Sequence, residues 1–400
     1  MKHLFELLLS FHNQIRSKRS FDFLKIARAK SMLKTSLLSC TLSLGLSYGY
    51  AEEKGLLDDS PFSVPASLLQ AGSPSFNIPT TKVVVLSAAE LNAAIAHNTI
   101  GQLINRAIES NTLIKFPSGT YNIPEVIFLT GVTNVVLEGA IDASGKPATT
   151  LNFTHSLTDL YGNNTEVYGS FGAWHGGGGF INIGTKHPMY AQGVNKPSSN
   201  VGIKNFNITF NRSVYHIHKE DGYNAFFFSK ASNSFAQNIT VTNYDNAFIL
   251  SGCSHTTVSN ATLNAIRNGH FGAVINAGSA NLIQNLTTLS PTSHPLSLQK
   301  TTYNVFKNCV LAKGAGDGIS YRGGSSSNLF WNINSGNTVL GASNGQNKNL
   351  ATTYGKNEYY WNCKSQGVPF SASKVPSFLN GYVKAYYGSQ VSPFKTGGQN

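Results

Sequence analysis

Carboxylates are scarce enough in this chain to be followed one by one. From residue 200 onward they are Glu220, Asp221, Asp245, Asp317 and Glu358. When the chain's recurring Asn-centred units are aligned, Tyr223, Asp245, His270, Ser293 with His294, and Asp317 fall at nearly the same point of successive units, just ahead of a β-type run. A mixed Asp/His stripe suits acid–base chemistry on a chain-like substrate, because one group takes a proton while its neighbour orients it. Spacing limits the pairs. At about 4.8 Å per stacked unit, Asp221 and Asp245 are on the order of 5 Å apart, and Asp245 and Asp317 about 14 Å. A two-carboxylate hydrolase needs about 5–9.5 Å, which favours Asp221 with Asp245. The candidate catalytic residues are therefore Asp245, His270, His294, Asp317 and Asp221; turn-forming polar residues are the other reading of the same stripe.

Three further groups bear on binding. Tyr215-His216-Ile217-His218-Lys219-Glu220 places His216, His218 and Glu220 on one side of a strand, a spacing that serves a metal, a catalytic cluster or simply an outward polar face. Lys230, Lys300 and Arg322 follow the strand that the stripe opens, and Arg267 and Lys313 precede the stripe; such cations would neutralise an acidic polymer, and ordinary solvated side chains are the other reading. Trp174-His175 and four glycines, Gly176 to Gly179, lie in a Gly- and Tyr-rich insertion at residues 157–198. No Lys-Ser/Thr pair or helix pattern follows them, which excludes a phosphate loop. Trp174, with Tyr161, Tyr168 and Tyr190, either walls a groove and stacks on sugar rings or belongs to a flexible loop.

The elements that position these residues come from a repeat. Asn205, Asn238, Asn260, Asn285, Asn308, Asn332 and Asn362 each centre a similar unit, with successive spacings of 33, 22, 25, 23, 24 and 30 residues. A period in the twenties with short β-type runs, such as Ala225 to Phe228 and Ala247 to Leu250, marks a solenoid whose coils stack because no single coil buries its own apolar face. The Asn accepts a left-handed turn, and its amide can bond the Asn above and below, giving an asparagine ladder. Ahead of the repeat, Val83 to Leu86 reads as a strand, and Ser87 with Glu90 as a capping box that opens one or two short helices.

Ser87-Ala88-Ala89-Glu90-Leu91-Asn92-Ala93-Ala94-Ile95 and Thr112-Leu113-Ile114-Lys115-Phe116-Pro117-Ser118-Gly119-Thr120-Tyr121, taken with the Asn units, resemble the right-handed parallel β-helix proteins of the pectate lyase-like superfamily, over about residues 81–366. The resemblance implies an all-β, right-handed single-stranded parallel β-helix with a short N-terminal capping helix. It implies chemistry only loosely, since the architecture carries polysaccharide lyases, glycoside hydrolases, epimerases, tailspikes and adhesins. The chain has no paired-aspartate motif of the polygalacturonase type and no acidic cluster like a pectate lyase calcium site. No cofactor and no metal ligand are therefore expected, with calcium left open. The expected function is β-elimination or hydrolysis of a polysaccharide, with acidity of the glycan expected from the basic residues; the alternative is a non-catalytic glycan-binding or adhesin-like β-helix.

Charge and cysteine usage set the context. Charged residues are 12% of the chain against the usual quarter or so, and the formal net charge is +12. Much of that charge lies in a basic stretch ending at Lys34, followed by an apolar run, Leu37 to Leu46, and small residues up to Ala51: the pattern of a secretory signal. Residues 1–31 read as an upstream extension or long n-region, 32–51 as the signal with cleavage near Ala51, 52–80 as an extended lead-in and 367–400 as a C-terminal cap or tail. A secreted or periplasmic monomer is expected, with no membrane contact after cleavage. Removing residues 1–51 takes away eight basic and two acidic residues and leaves +6, too dilute over a long solenoid to imply nucleic acid. Cys309 and Cys363 follow ladder Asn residues in an apolar slot two coils apart, beyond disulfide reach, so they and Cys253 are expected to be free buried thiols. The Asn-Xaa-Thr sequons at Asn238, Asn260 and Asn285 are read as ladder residues.

Overall fold

A β-run of four to eight residues buries apolar side chains only against other runs, and a left-handed Asn after each run turns the chain back towards its own previous coil. The computed structural model shows this arrangement. It describes residues 68, 70–73, 76, 78–165, 172–213, 220–313, 318–322, 325–336, 358–361, 363–365, 368–369 and 383–385. The segment read above as a secretory signal lies outside the described residues, as does most of the stretch from residue 367 to 400. No helix among the described residues is long and apolar enough to cross a membrane.

The chain is a parallel β-helix. Strands Phe235–Thr242, Thr257–Asn264 and Leu282–Thr288 stack in parallel on one side, with Gln237 opposite Ser259 and Ile239 opposite Ala261. Asn238 and Asn260, at φ of 54° and 53°, fall between these paired positions and bend each strand into two legs. A second sheet stacks Ile127–Thr130, Ile181–Gly184, Asn224–Ser229, Asn246–Ser251, Gly269–Asn276, Thr292–Gln299 and Ile319–Arg322 in sequence order, with every neighbouring pair parallel. At the beginning of the stack, helices α1 (Ala88–Ala96) and α2 (Ile100–Ala107) bury Leu91, Ile100 and Ile104; Ser87 and Glu90 form the expected capping box on α1.

Side chains form stacks as the coils do. Ile239, Ala261, Leu286, Cys309, Ile333 and Cys363 fill one buried slot, and Phe226 stacks on Phe248 with ring centroids 5.0 Å apart. Cys253, Cys309 and Cys363 are free and buried, and burial pushes the Cys253 and Cys309 thiols up to about 12. They act as small core hydrophobes. In the ladder, the Nδ2 atoms of Asn238, Asn285, Asn308 and Asn332 donate to the Oδ1 atoms of Asn205, Asn260, Asn285 and Asn308 at 2.9–3.2 Å.

A second ladder, Asn281–Asn304–Asn328, is wholly buried, and its members bond each other's side chains at 2.9 Å. Asn304 also accepts from the Asn281 backbone N–H. Asn304→Ala would orphan several buried polar groups at about 1–3 kcal/mol each. A loss of about 3 kcal/mol or more is expected in urea unfolding, whereas Asn285→Gly, in the exposed ladder and suited to φ of 53°, should lose under about 1 kcal/mol. Equal losses would refute the distinction.

The insertion at residues 157–198 opens with a one-turn helix, α3 (Leu157–Tyr161), and contributes the strand Ile181–Gly184 to the second sheet. The part ahead of Ile181 lies where that sheet's strands begin and meets the Asp/His stripe through His175, whereas residues 185–198 follow the strand and pack at its other end, where Val194 N donates to Thr130 and Thr185 N to Ser229 O.

Candidate active site

Register confirms the stripe as one edge of the stack. Asn224, Asn246, Phe271 and His294 are direct partners on successive strands, so Tyr223, Asp245, His270 and Ser293, each one residue earlier, are aligned. Backbone bonds tie them: Asp245 N donates to Tyr223 O at 2.8 Å and His270 N to Asp245 O at 2.7 Å.

Two ionic assemblies occupy this edge. The first is centred on Glu220, which is fully buried just before strand Asn224–Ser229. His175 Nδ1 stands 2.9 Å from one of its carboxylate oxygens, and His270 Nδ1 stands 2.8 Å from the other. The two rings are 4.5 Å apart and inclined by 33°, with His294 a further 5.3 Å beyond His270. Burial works against ionisation of Glu220, but its bonds to His175 and His270 outweigh that and hold the carboxyl well below the usual carboxylate range. His270 is buried, while the His175 side chain is 20% exposed and forms the solvent side of the cluster.

The second assembly is a buried ion pair, Arg212 Nη2 to Asp245 Oδ1 at 2.8 Å. Arg212 Nη1 donates to the carbonyls of Tyr244 and Asn268 at 2.6 and 3.0 Å, tying together two successive coils. The other oxygen of Asp245 accepts from the Gly222 and Tyr223 N–H groups at 3.1 and 2.9 Å. Burial pushes the Asp245 carboxyl up to about 6 against the pull of Arg212. Gly222 is required here: it has φ of 86°, and a Cβ would meet Leu157 and Trp174 at 2.7 and 2.9 Å.

His175 is held in place by buried amides. Asn224 Nδ2 donates to the carbonyls of Trp174, Gly177 and Gly178 at 3.0–3.3 Å, and Asn246 Nδ2 to that of Trp174 at 3.3 Å. The four-glycine turn lets its carbonyls converge on one side chain.

The residues singled out in the sequence are distributed unequally. Asp245, His270 and His294 come together, and Asp221 lies beside them, near enough to raise Asp245. Asp317, His216 and His218 lie outside the described residues. Trp174 corrects an expectation: it is completely buried, with its ring beside His187 and Tyr190 at 5.0 and 5.8 Å, and so offers no face to a sugar. Tyr190 is buried likewise and donates to Gly179 O; Tyr168 is outside the described residues. Exposed Arg267 and Lys313 stand at the stripe's end of the coils. Lys230 and Lys300, also exposed, occupy left-handed turns at the opposite end of their strands, about 20 Å away for a six-residue strand. Arg322 ends its strand opposite Gln299, on that distant side too. Arg212 and His175 were not among the candidates, and Glu220 was read only as part of a strand motif.

His187, within the insertion and packed beside Trp174 and Phe227, has its imidazole lowered to about 4 by burial. The folded value lies below the ordinary 6.5, so this contribution to stability is present above about pH 6.5 and is lost as pH falls through 4. Stability should fall by up to about 1.4 kcal/mol per pH unit in that window from this group alone. His187→Gln should flatten the dependence; parallel urea midpoints for both proteins at pH 7 and 5 would refute it.

Comparison with known proteins yields likeness of fold. No protein-family model matches the chain, and no curated protein matches it. Among solved structures it is similar to the catalytic domain of a GH87 alpha-1,3-glucanase in complex with nigerose (16% identity, 73% of this chain, 46% of that one, TM-score 0.43). It is also similar to an alginate lyase from Paenibacillus sp. str. FPU-7 (12% identity, 72% and 87%, TM-score 0.40). A third likeness is to the A-module of the Azotobacter vinelandii mannuronan C-5 epimerase AlgE6 (13% identity, 70% and 67%, TM-score 0.38). The chain spans about half the length of the first of these structures.

Proposed function

We propose that this protein is a secreted carbohydrate-active enzyme that works on a polysaccharide at the stripe edge of the second sheet, and that it cleaves an acidic glycan by β-elimination. The observation that carries this reading is the buried Glu220 bracketed by two imidazoles, one of which reaches solvent. An ionised carboxylate facing Nδ1 favours the tautomer with the proton on that nitrogen, which leaves Nε2 of His175 as the proton-accepting atom. In β-elimination that atom would take the proton from the carbon next to the sugar's carboxylate. The electron pair forms a carbon–carbon double bond as the bond from the neighbouring carbon to the glycosidic oxygen breaks, and that oxygen leaves with a proton taken from water.

Elimination is favoured over two-carboxylate hydrolysis by how the acids are used. Asp245 is committed to Arg212 and Glu220 to the histidines. Arg267 and Lys313 stand at the same edge and suit the negative charge of a uronate. The test is incubation with pectate, alginate, glycosaminoglycans and neutral glucans, following ultraviolet absorbance of unsaturated uronates and the release of reducing ends. Unsaturated product from an acidic glycan is expected. Reducing ends without unsaturation would replace elimination by hydrolysis, and glycan binding with no product would replace the enzyme by a binding protein.

A further inference from the structure

The cluster that supplies the proposed base also has the donor set of a metal centre. Donor atoms of His175, Glu220 and His270 all lie within 4.8 Å of one another, the single such group of three among the described residues. Neighbouring donors around one ion, at bonds of about 2.0–2.2 Å, stand about 3 Å apart at right angles and about 3.4 Å apart in a tetrahedron. The Nδ1-to-carboxylate distances of 2.9 and 2.8 Å match the first of these. The three side chains come from separate places in the fold: the insertion, the segment before Asn224–Ser229, and the strand Gly269–Asn276. His175 is anchored by Asn224 and Asn246 through the adjoining carbonyls, so two ligands are buried and the third has little freedom.

Charge points the same way. Glu220 and Asp245 are both buried, and Arg212 is ion-paired with Asp245. With both imidazoles neutral, these three ionised groups carry a surplus negative charge in a water-poor place, which a cation relieves. Two imidazoles and a carboxylate select zinc-like transition ions over calcium or magnesium, which prefer all-oxygen sites.

We propose that His175, Glu220 and His270 bind one divalent transition-metal ion, and that an ion there excludes the proton-transfer state of the same site. The ion takes the two Nδ1 positions that protons occupy when Glu220 orients the histidines. A metal ligand must first be deprotonated, so the two occupancies compete. The inference rests on the site proposed above but not on its glycan, because binding is measured with no glycan present.

The experiment is equilibrium dialysis and visible absorption spectroscopy of the full chain with Co2+, repeated with Zn2+ as competitor. One Co2+ per chain with ligand-field bands is expected, displaced by Zn2+. Glu220→Gln and His175→Ala should each weaken binding at least tenfold, while His97→Ala, an exposed histidine at the end of α1, should leave it unchanged. Thermal melts check that each variant is folded. Absence of stoichiometric binding, or binding that survives both cluster variants, would overturn the metal site. If an active glycan is found, Zn2+ should lower the rate and a chelator restore it; a rate that rises with Zn2+ would overturn the exclusion while leaving the dialysis result intact.

Discussion

Glu220→Gln is expected to lower turnover on the glycan by about a thousandfold with little change in KM, the loss typical of a misoriented general base. The reason is tautomeric. The carboxylate of Glu220 accepts from Nδ1 of His175 through one oxygen, and its other oxygen stands 2.8 Å from Nδ1 of His270. A neutral Gln amide no longer holds the proton on Nδ1 of His175: with its NH2 end there the proton moves to Nε2 and the basic atom is lost, and with its oxygen there the imidazole still loses its ionised partner. The substitution keeps size and removes a buried charge, so the melting temperature should hold within a few degrees. Initial rates on the most reactive glycan of the panel, alongside thermal melts, decide the matter. A folded variant that keeps more than a tenth of wild-type turnover would remove Glu220 from the mechanism.

The second large effect concerns stability. Arg212→Met should cost about 3–5 kcal/mol, because it strands the Asp245 carboxylate in the interior. The double variant Arg212→Met with Asp245→Leu should regain most of that, since a buried pair replaced by apolar groups of similar volume is often close to neutral. Coils of a solenoid interact with their neighbours only, so the loss should be local. Amide exchange should accelerate around Tyr244 and Asn268, whose carbonyls Arg212 holds, and remain slow around Phe306. A double variant no more stable than Arg212→Met would show that the backbone bonds of Arg212, rather than its charge, hold the coils together.

Much of the architecture was legible because stacking imposes a repeat on the residues themselves. A ladder Asn must tolerate positive φ in each coil, and Asn205, Asn238, Asn260, Asn285, Asn308 and Asn332 all do so at 53–65°. The free thiols followed from the same alignment. The stripe was legible for an equal reason: a fixed offset from the ladder is a fixed place on the coil, which the pairing of Asn246 with Phe271 and of Phe271 with His294 bears out. The buried ladder through Asn281, Asn304 and Asn328 has the same periodicity and could have been found by aligning every Asn.

The partnership at the candidate site was not legible. His175 reaches Glu220 from an insertion 45 residues earlier, and insertions have no register with the coils. Arg212 bonds Asp245 through a side chain long enough to cross between coils, so its position in the repeat says little about what it touches. Trp174 illustrates the converse: aromatic residues in a Gly-rich loop suggested an open platform, yet the loop folds inward and buries the ring completely. By itself the sequence determined the β-helix, its ladder and the edge where polar residues gather, because these depend on period. Only the tertiary structure decided which of those residues meet, because a buried carboxylate takes whichever donors the inserted loop and neighbouring coils bring within about 3 Å.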